Sequence, residues 1–483
     1  MPHAGAPTNT VRAANPAAAR ADGPPASVVH RLPLHDAIHR PNARYGSFLP
    51  SRIARDALVR DASAVRRLLD RLAGGGPPWP AETVEVPKWA GGSRPVIDLD
   101  VEDRVIYEAL VTLVAAGFPD GAVRAAASPG DRDAREAEIC GSAATHVLSA
   151  DVDSCFERVS HERLAAMLRA LSPDETAVGS LTDMLHALVG SDIGLPQGPA
   201  VSWVLCDVYL SAVDRSLERA SIPFFRFNDE YLLPVSSALE GDEAAERLRK
   251  ELAAVRLELH PGKTRLCTRD EFAAARRRRP ATDTLRDFAS HHGSWGTTYE
   301  QSGALRHALA ELAATGSPVG IDLLPALWSS FPHLAKPLAR YVRSILRTPD
   351  AAMAVAAVNV ILRERAGAFE WKLAWLYHGL FPATAALPPT TIARARASLL
   401  EGAEPWCVRG RAAVLLSMHG ALSAEEVAEI GGDAPSAAQP DLVAAVANLA
   451  PGGARSAALA RLVTRPLLAE VAALVEASGV RDK

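Results

Sequence analysis

Apolar and polar positions follow a helical period early in the chain. From Ile53 to Leu72 (IARDALVRDASAVRRLLDRL), apolar residues recur every three or four positions with arginines between them, which predicts a helix. The GGGPPWP segment that follows interrupts this pattern. Two strand-like pieces joined by a Gly-Gly turn then lead into a helix that begins near Val101, with capping carboxylates in the Asp100–Asp103 region.

Strands and helices mix between residues 145 and 269. HVLSADVDS has the composition of a strand, whereas HERLAAMLRAL and GDEAAERLRKELAAV have the periodicity of amphipathic helices. The segments PFFRF and YLLPV flank Asn228-Asp229-Glu230 in the way that two arms flank the turn of a β-hairpin. This part of the chain is therefore predicted to be an α/β domain.

After about residue 300 the pattern becomes helical, with short amphipathic segments separated by Pro and Gly. No tight sequence repeat is visible, but successive helix pairs favour an all-α, helical-repeat-like array. The first residues are of low complexity (PAAARADGPPAS), which is typical of disorder. We therefore predict a disordered tail over residues 1–28, an α/β domain over 29–290 and a helical domain over 300–483.

Composition narrows the class of protein. The chain has 483 residues, is 48% hydrophobic and carries a net charge of -4, so it can form sizeable cores and is not uniformly basic. No apolar run reaches the roughly 18 residues of a membrane span, and the first thirty residues lack the apolar stretch of a secretory signal. We expect a cytoplasmic protein without membrane contact. Five scattered cysteines without a Cys-x-x-Cys pair argue against a disulfide framework and a structural zinc site.

Two carboxylates carry the candidate chemistry. Asp151 ends an apolar strand, and Asp229 lies at the predicted hairpin tip. Carboxylates at a strand end and at a turn can converge on two divalent cations, as two-metal phosphoryl transfer requires, and hard oxygen ligands select Mg²⁺ or Mn²⁺. Each aspartate alone also fits an ordinary turn or cap, so the assignment depends on the ordered set of motifs around them.

That set resembles the palm motifs of bacterial reverse transcriptases. Four segments occur in the family's order: ADVDSCFERVSHERL, GLPQGPAVSWVLCDVYLSAVD, FRFNDEYLL and RLELHPGKTRL. The upstream GGSRPVIDLDVEDRVIYEAL is similar to the fingers segment of the same family. The resemblance covers about residues 85–270 and implies a right-hand polymerase fold of fingers and palm. Such a domain followed by a helical array resembles the stand-alone bacterial enzymes associated with abortive infection and antiphage defence.

The resemblance implies roles for individual residues. Asp151 and Asp229 would be the metal-binding carboxylates, with the Val152 carbonyl as a further ligand. Phe156 would pack against the sugar and exclude a 2'-hydroxyl, although a core aromatic is the alternative for this residue alone. Lys263 would lie near the leaving pyrophosphate as a general acid. Nucleotide binding would also involve a further set of residues, namely Lys88, Arg94, Gln197 and Gly198.

The sequence also departs from the family pattern. Glu230 stands where the second Asp of the third motif is usual, and we expect it to bind or orient a metal over a longer reach. His260 stands where Asn is common, and TLRDFASHHGSWG is only a vague candidate for a primer grip. The basic run 276–279 would contact a phosphate backbone, or would simply be solvated. Trp371 and Trp375 share a helical face, for which core packing is favoured over base stacking.

The favoured function is an RNA-directed DNA polymerase, using two Mg²⁺ ions or Mn²⁺, in antiphage defence. It would add deoxynucleotides to a 3'-hydroxyl or a protein hydroxyl, with Tyr45, Tyr299, Tyr341 and Tyr377 as tyrosines to test as primers. The expected partners are dNTPs, an RNA or DNA template-primer, a non-coding RNA and further copies of the chain. The alternatives are a catalytically weak or inactive nucleic-acid-binding scaffold and an RNA-synthesising polymerase.

Overall fold

The computed structural model describes residues 11–12, 24–40, 49, 53–88, 92–123, 129–275, 280–289, 299–363, 371–402 and 404–478. Within these ranges, a mixed N-terminal half precedes an all-helical C-terminal half. Most of the predicted disordered tail lies outside the described residues, as do the basic run 276–279, Tyr45 and residues 290–298 around the boundary between the two predicted domains.

The first structural unit is a three-stranded antiparallel sheet in the order β1-β2-β3, with helices around it. β2 and β3 pair from Glu82–Asp98 to Pro87–Ser93, and the Lys88 amide donates to the Gly92 carbonyl at 3.0 Å. This hairpin confirms the two strands predicted around the Gly-Gly turn. The elements are β1 (Val11–Arg12), α1 (Ala26–Val29), α2 (Leu34–His39), α3 (Ile53–Arg60), α4 (Ala64–Ala73), β2 (Ala81–Pro87), β3 (Ser93–Asp98) and α5 (Val101–Ala115).

The helix predicted from Ile53 to Leu72 is two helices, α3 and α4. Between them, the Asp61 carboxylate accepts hydrogen bonds from the Ser63 amide at 2.8 Å and the Ser63 hydroxyl at 2.7 Å. Short polar side chains compete in this way with the helical hydrogen bonds of the backbone, which the apolar period does not reveal. The predicted start of α5 is confirmed, because the Asp100 side chain accepts from the Glu102 amide at 2.8 Å.

The second unit is a four-stranded antiparallel sheet in the order β5-β6-β4-β7. The predicted strand, the hairpin and both amphipathic helices are confirmed here. The elements are α6 (Pro129–Gly141), β4 (His146–Asp151), α7 (Cys155–Arg158), α8 (His161–Leu171), α9 (Glu175–Val189), α10 (Val201–Arg219), β5 (Phe225–Phe227), β6 (Glu230–Val235), α11 (Ala238–Ala254), β7 (Arg265–Thr268) and α12 (Arg269–Ala275).

The two faces of this second sheet bury different clusters, as strand alternation requires. Ala150 and Tyr231 belong to the main core, which continues into α10 and α11. On the opposite face, Val147 and Leu232 pack with Ile139 of α6 and with Phe272 of α12. The sheet is therefore covered on both faces, and the strand end at Asp151 is where polar groups gather.

In the described part of the C-terminal half, the regular elements are all helices, as predicted. α14, α16, α18, α20, α22 and α24 pack in series, and α15, α17 and α19 form a second row. A repeat relationship between successive pairs stays a prediction. The helices are α13 (Ala281–Ala289), α14 (Tyr299–Thr315), α15 (Leu324–Ser330), α16 (Ala335–Ile345), α17 (Ala351–Arg363), α18 (Lys372–Leu380), α19 (Pro389–Leu400), α20 (Trp406–Met418), α21 (Ala424–Ile430), α22 (Gln439–Ala447), α23 (Gly453–Leu462) and α24 (Pro466–Ser478). None of the described helices combines the length and the apolar composition needed to cross a bilayer.

The last helices of the helical half pack against the N-terminal half. α24 and α22 pack against α3. Arg465, which precedes α24, donates to the Asp100 carboxylate at 2.5 Å and to Glu102 at 3.3 Å. The Trp406 amide donates to the buried Glu82 carboxylate of β2 at 2.9 Å. The β2–β3 hairpin is thus fixed to the helical half. Lys88 follows β2 and Arg94 lies near the start of β3, so both residues are close to the turn of this hairpin.

Candidate active site

Backbone pairing places Asp151 beside the β5–β6 turn. Asp151 is the last residue of β4 and lies opposite Glu230 of β6. The next residue, Val152, donates its amide hydrogen to the Asp229 carbonyl at 2.9 Å, and the His260 amide donates to the Asp151 carbonyl at 2.8 Å. Three of the family-like segments therefore meet at one strand end.

The β5–β6 turn consists of Asn228 and Asp229. Asn228 has a φ of 57°, a left-handed conformation that asparagine tolerates better than most residues. Beneath the turn, the Arg226 guanidinium donates to the Asn228 carbonyl at 2.6 Å and to the Asp207 carboxylate at 2.6 Å. It also forms a bidentate pair with Asp214, with Nε donating to Oδ1 at 3.0 Å and Nη2 donating to Oδ2 at 2.8 Å. Sequence analysis missed this network, because its members are separated in sequence and share no spacing rule.

A cavity of about 210 Å³ opens at this strand end. Nine of the ten predicted site residues line it, and they come from the fingers-like hairpin and from all four palm-like segments. They are Lys88, Arg94, Asp151, Val152, Phe156, Gln197, Gly198, Asp229 and Lys263. The sequence motifs thus converge in space, although their separations along the chain are large.

The cavity walls combine like and unlike charges. Burial, reinforced by the neighbouring Asp151 carboxylate, raises the pKa of Asp229 to about 7, against the opposing effect of Lys263 and Arg94. The Lys263 ammonium lies 2.9 Å from Asp151 Oδ2. Burial lowers the pKa of Arg94, while Asp229 and Glu157 act in the opposite direction. The carboxylates of Asp151 and Asp229 therefore lie close together, beside the cationic side chains of Lys263 and Arg94.

Glu157 links two of the predicted nucleotide-binding residues, Lys88 and Gln197, and was not predicted from the sequence. Its carboxylate lies 3.2 Å from the Lys88 ammonium and accepts from the Gln197 amide nitrogen at 3.4 Å. Lys88 also donates to the Ser154 hydroxyl at 3.3 Å. The adjacency of Glu157 to Phe156 in sequence was the signal that could have identified it.

Phe156 is held in place by an aromatic neighbour and by the GLPQG loop. Its ring meets the Trp203 ring edge-on, at 4.4 Å between centroids and 77° between planes. The Leu195 amide donates to the Phe156 carbonyl at 2.7 Å. Gly194 and Gly198 adopt φ values of 106° and 122°, which side-chain-bearing residues rarely adopt. The loop's backbone thus positions both Gln197 and the aromatic ring.

Glu230 is the predicted site residue that lies opposite Asp151 without lining the cavity. Its carboxylate accepts two hydrogen bonds from Arg132 Nη2 of α6, at 3.0 and 2.9 Å, and it does not line the cavity. The side chain follows the sheet face covered by α6, where Arg132 supplies a compensating charge. The predicted catalytic contribution of Glu230 stays a prediction.

The donor set of the cavity fits a divalent cation in part. Asp151 and Asp229 present hard oxygen donors, and burial together with the Asp151 carboxylate raises the pKa of Asp229, so a bound cation would favour its ionised form. Within the described ranges, no group of three or more His, Cys, Asp and Glu side chains is arranged to hold a metal ion. A cation here would therefore complete its coordination with backbone, water or substrate oxygens.

The aromatic and tyrosine candidates in the helical half have structural partners. Trp371 and Trp375 are 3% and 5% exposed, which agrees with the favoured core packing. The hydroxyl of Tyr341 donates to the Val319 carbonyl at 2.8 Å. That of Tyr377 lies 2.9 Å from the Ser398 hydroxyl. Both tyrosines are buried, so neither presents a hydroxyl to a nucleotide in this conformation. The side chain of Tyr299 and the whole of Tyr45 lie outside the described residues.

Comparisons with known proteins agree with the family-like motifs. Residues 86–294 match the family model described as reverse transcriptase (RNA-dependent DNA polymerase). A 91 kDa protein in the cob intron of Schizosaccharomyces pombe is 25% identical over 162 residues, covering 30% of this chain and 20% of that protein. The COX1/OXI3 intron 1 protein of Saccharomyces cerevisiae is 24% identical over 157 residues, covering 29% and 18%. The chain thus spans about a fifth of the length of these curated relatives.

A solved telomerase structure from Candida albicans, in complex with a TWJ fragment of telomeric RNA, is 12% identical. The match covers 62% of this chain and 65% of that chain, with a TM-score of 0.30, which is too low to establish a shared fold. The family match over residues 86–294 and the architecture described above are sufficient to identify the domain. The chain contains a reverse-transcriptase domain that is distantly related to these intron-encoded proteins.

Proposed function

We propose that this protein is a DNA polymerase of the reverse-transcriptase type, which adds deoxynucleotides to a 3'-hydroxyl or to a protein hydroxyl. The observation that supports this most strongly is the cavity that Asp151, Asp229 and Lys263 share with Phe156 and Gln197. Chain segments far apart in sequence bring these groups together. A surface formed without selection for this chemistry has no physical reason to collect them.

Lys88 and Arg94 are suited to bind the triphosphate of an incoming nucleotide. Both line the cavity, and the Lys88 ammonium is held by Glu157 at 3.2 Å and by Ser154 at 3.3 Å. A triphosphate carries more negative charge than Glu157 and would compete for Lys88. Arg94 is largely desolvated, so a charge-assisted hydrogen bond from its guanidinium would be strong.

Phe156 is suited to select the sugar. Its ring lies on the cavity wall and is fixed edge-on against Trp203, so it cannot easily turn away from a 2'-hydroxyl. A rigid ring at the sugar discriminates by steric exclusion, whereas a mobile ring would adapt. We therefore propose deoxynucleotides as the preferred substrates.

Asp151 and Asp229 would hold magnesium ions, or manganese ions in their place. When bound, the two ions would activate the attacking hydroxyl and stabilise the leaving pyrophosphate. Lys263, whose ammonium is 2.9 Å from Asp151, is suited to donate a proton to a pyrophosphate oxygen.

The wider role that we propose is antiphage defence in the bacterial cytoplasm, by analogy with the stand-alone enzymes that the sequence resembles. Its template and primer would be RNA or DNA, with a non-coding RNA and further copies of the chain as additional partners. Plaque formation on cells expressing wild-type or Asp229→Ala protein tests this role. Equal plaquing on both would contradict it.

The polymerase proposal is tested by nucleotide incorporation on purified protein. Each labelled dNTP or NTP is supplied with Mg²⁺ or Mn²⁺, with and without template, and the product is treated with protease or nuclease. We expect deoxynucleotide incorporation that the Asp229→Ala variant lacks, and protease sensitivity of the product would indicate a protein primer. Absence of incorporation under every condition, including with co-purified nucleic acid, would favour the scaffold alternative.

A further inference from the structure

We infer that Arg132 of α6 is a positioning residue that fixes the Asn228–Asp229 turn through Glu230, and that Glu230 acts as a structural anchor rather than as a metal ligand. The inference rests on the proposed polymerase function. It explains why the longer side chain at residue 230 is compatible with a working site.

One guanidinium contacts both arms of the turn. Arg132 Nη2 donates to both Glu230 oxygens, at 3.0 and 2.9 Å, on the first residue of β6. The same guanidinium carbon lies 5.2 Å from the ring centroid of Phe227, the last residue of β5. Phe227 and Glu230 are paired across the hairpin, so Arg132 spans the two residues that flank Asn228 and Asp229.

The anchor itself is held firmly. Arg132 Nε donates to Glu136 Oε1, one helical turn further along α6, at 2.9 Å. The other end of α6 is fixed by Ile139, which is 1% exposed and packs with Val147 and Leu232 of the sheet. A guanidinium on a packed helix can therefore define where the turn lies.

The inner side of the turn has its own contacts. Arg226 donates to the Asn228 carbonyl at 2.6 Å, and the Val152 amide donates to the Asp229 carbonyl at 2.9 Å. Arg132 acts from the opposite side, on side chains rather than on the main chain. Held between Arg226 and Arg132, the turn presents the Asp229 carboxylate to the cavity in one orientation. This is the preorganisation that a metal-binding carboxylate needs.

The chemistry of Glu230 supports the anchoring role. The residue is 8% exposed, and its carboxylate already accepts two charge-assisted hydrogen bonds. A shorter aspartate at this position would move its oxygens away from Arg132. Ligation of a cation by Glu230 would require breaking this pair and leaving the Arg132 charge without it.

The test separates cation binding from turnover. Manganese binding without nucleotide is measured by electron paramagnetic resonance, and incorporation is measured separately. We expect Glu230→Gln and Arg132→Gln to weaken manganese binding to a similar extent, and by less than Asp229→Asn does, while incorporation falls about tenfold or more, as removal of a supporting partner does. Asp229→Asn, the matched control, should weaken manganese binding about tenfold or more.

A charge exchange makes the test sharper. In a Glu136→Gln background, which removes the carboxylate that would repel a second one on α6, Glu230→Arg and Arg132→Glu should each reduce incorporation. The double variant in the same background should recover it in part, because the ion pair is restored with its polarity reversed. Melting temperatures show whether each variant is folded. If the exchanged pair does not fold, the Arg132→Gln variant alone decides.

Three results would overturn the inference. Glu230→Gln could weaken manganese binding as much as Asp229→Asn, a folded exchanged pair could show no recovery, or Arg132→Gln could raise incorporation because α6 restrains the turn. Wild-type protein that neither binds manganese nor incorporates nucleotides would instead overturn the proposed function, and the inference with it. The two failures are therefore distinguishable.

Discussion

Buried carboxylates are treated differently in the two halves of the molecule. In the cavity, Asp151 and Asp229 lie close enough that their repulsion adds to burial and raises the pKa of Asp229. In the helical half, Asp441 lies 3.5 Å from Arg411, and Glu404 lies 3.0 Å from Arg394. These two carboxylates of the helical half each face a guanidinium group, whereas Asp229 in the cavity also lies beside a second carboxylate.

The difference separates structural charge from functional charge. Two carboxylates brought together cost folding free energy, which a protein tolerates where a cation or a reacting group will use them. A buried carboxylate that is paired with a guanidinium inside the helical array contributes to stability by satisfying the hydrogen-bonding groups of both side chains. Ion pairing alone therefore does not mark a site in this protein. A raised pKa alone does not mark one either, because burial and the neighbouring Asp100 raise the pKa of Asp103 to about 7 outside the cavity.

The largest stability effect should come from Arg226. Arg226→Leu leaves Asp214 and Asp207 without this guanidinium and releases the Asn228 carbonyl, so we expect unfolding to become easier by about 3–5 kcal/mol. Chemical denaturation measures this loss, and incorporation should fall with it. Arg411→Leu in the helical half is the matched control, and it should lose stability while the folded fraction keeps its turnover. Loss of turnover in both variants would remove the distinction between the halves.

Lys263 should affect turnover rather than folding. Lys263→Met removes the ammonium 2.9 Å from Asp151, and we expect incorporation to fall about 10²-fold because a general acid is lost. Lys336→Met, which removes a lysine above the Trp375 ring in the helical half, is the control and should leave turnover near wild type. Single-turnover kinetics make the comparison. Equal losses in the two variants would contradict a catalytic role for Lys263.

Burial of neutral histidines should make the helical half sensitive to acid. Burial, with Arg411 and Arg343 nearby, lowers the pKa of His378 to about 2, and burial lowers that of His333 to about 3. Below pH 6.5 the unfolded chain binds protons that the folded chain does not. Each histidine therefore reduces stability by about 1.4 kcal/mol per pH unit as the pH falls from about 6.5 toward 3.

His378→Phe tests this pH dependence. The aromatic ring keeps contacts with Trp375 and Phe381 but cannot bind a proton. Denaturation between pH 6 and pH 4 should show a slope reduced by about one proton. An unchanged slope would mean that His378 does not stay neutral in the folded chain.

The smallest predicted effect concerns the sugar. Phe156→Val opens the cavity wall beside Trp203, and ribonucleotide incorporation relative to deoxynucleotide incorporation should rise about tenfold. Competition assays with matched dNTP and NTP pairs measure the ratio. An unchanged ratio with preserved activity would favour the RNA-synthesising alternative or a purely structural ring.

Much of the fold could be predicted because local patterns determine it. Strand β4, the β5–β6 hairpin and helix α8 follow from periodicity and turn residues. Nine predicted site residues line one cavity, and they were predictable because the motifs that contain them occur in the order of the family. The contacts that hold the turn could not be predicted. Arg132 and Glu230 are 98 positions apart, and an arginine's partner at that distance is set by packing rather than by local pattern.

The break between α3 and α4 shows the same limit at short range. The apolar period continues across it, and only the side-chain hydrogen bonds from Ser63 to Asp61 reveal that the helix ends. Glu157 was missed for a related reason. Its contacts with Lys88 and Gln197 depend on loops whose paths the sequence does not fix.

The most direct test compares two buried aspartates, Asp229 of the cavity and Asp441 of the helical half, each replaced by Asn. Incorporation and melting temperature are measured on both variants. We predict that Asp229→Asn reduces incorporation about 10³-fold without lowering the melting temperature, because it removes a repelled charge from the metal site. Asp441→Asn should lower the melting temperature, because it weakens the pair with Arg411, and keep turnover near wild type. Full incorporation by Asp229→Asn would contradict the assignment of this cavity as the polymerase site.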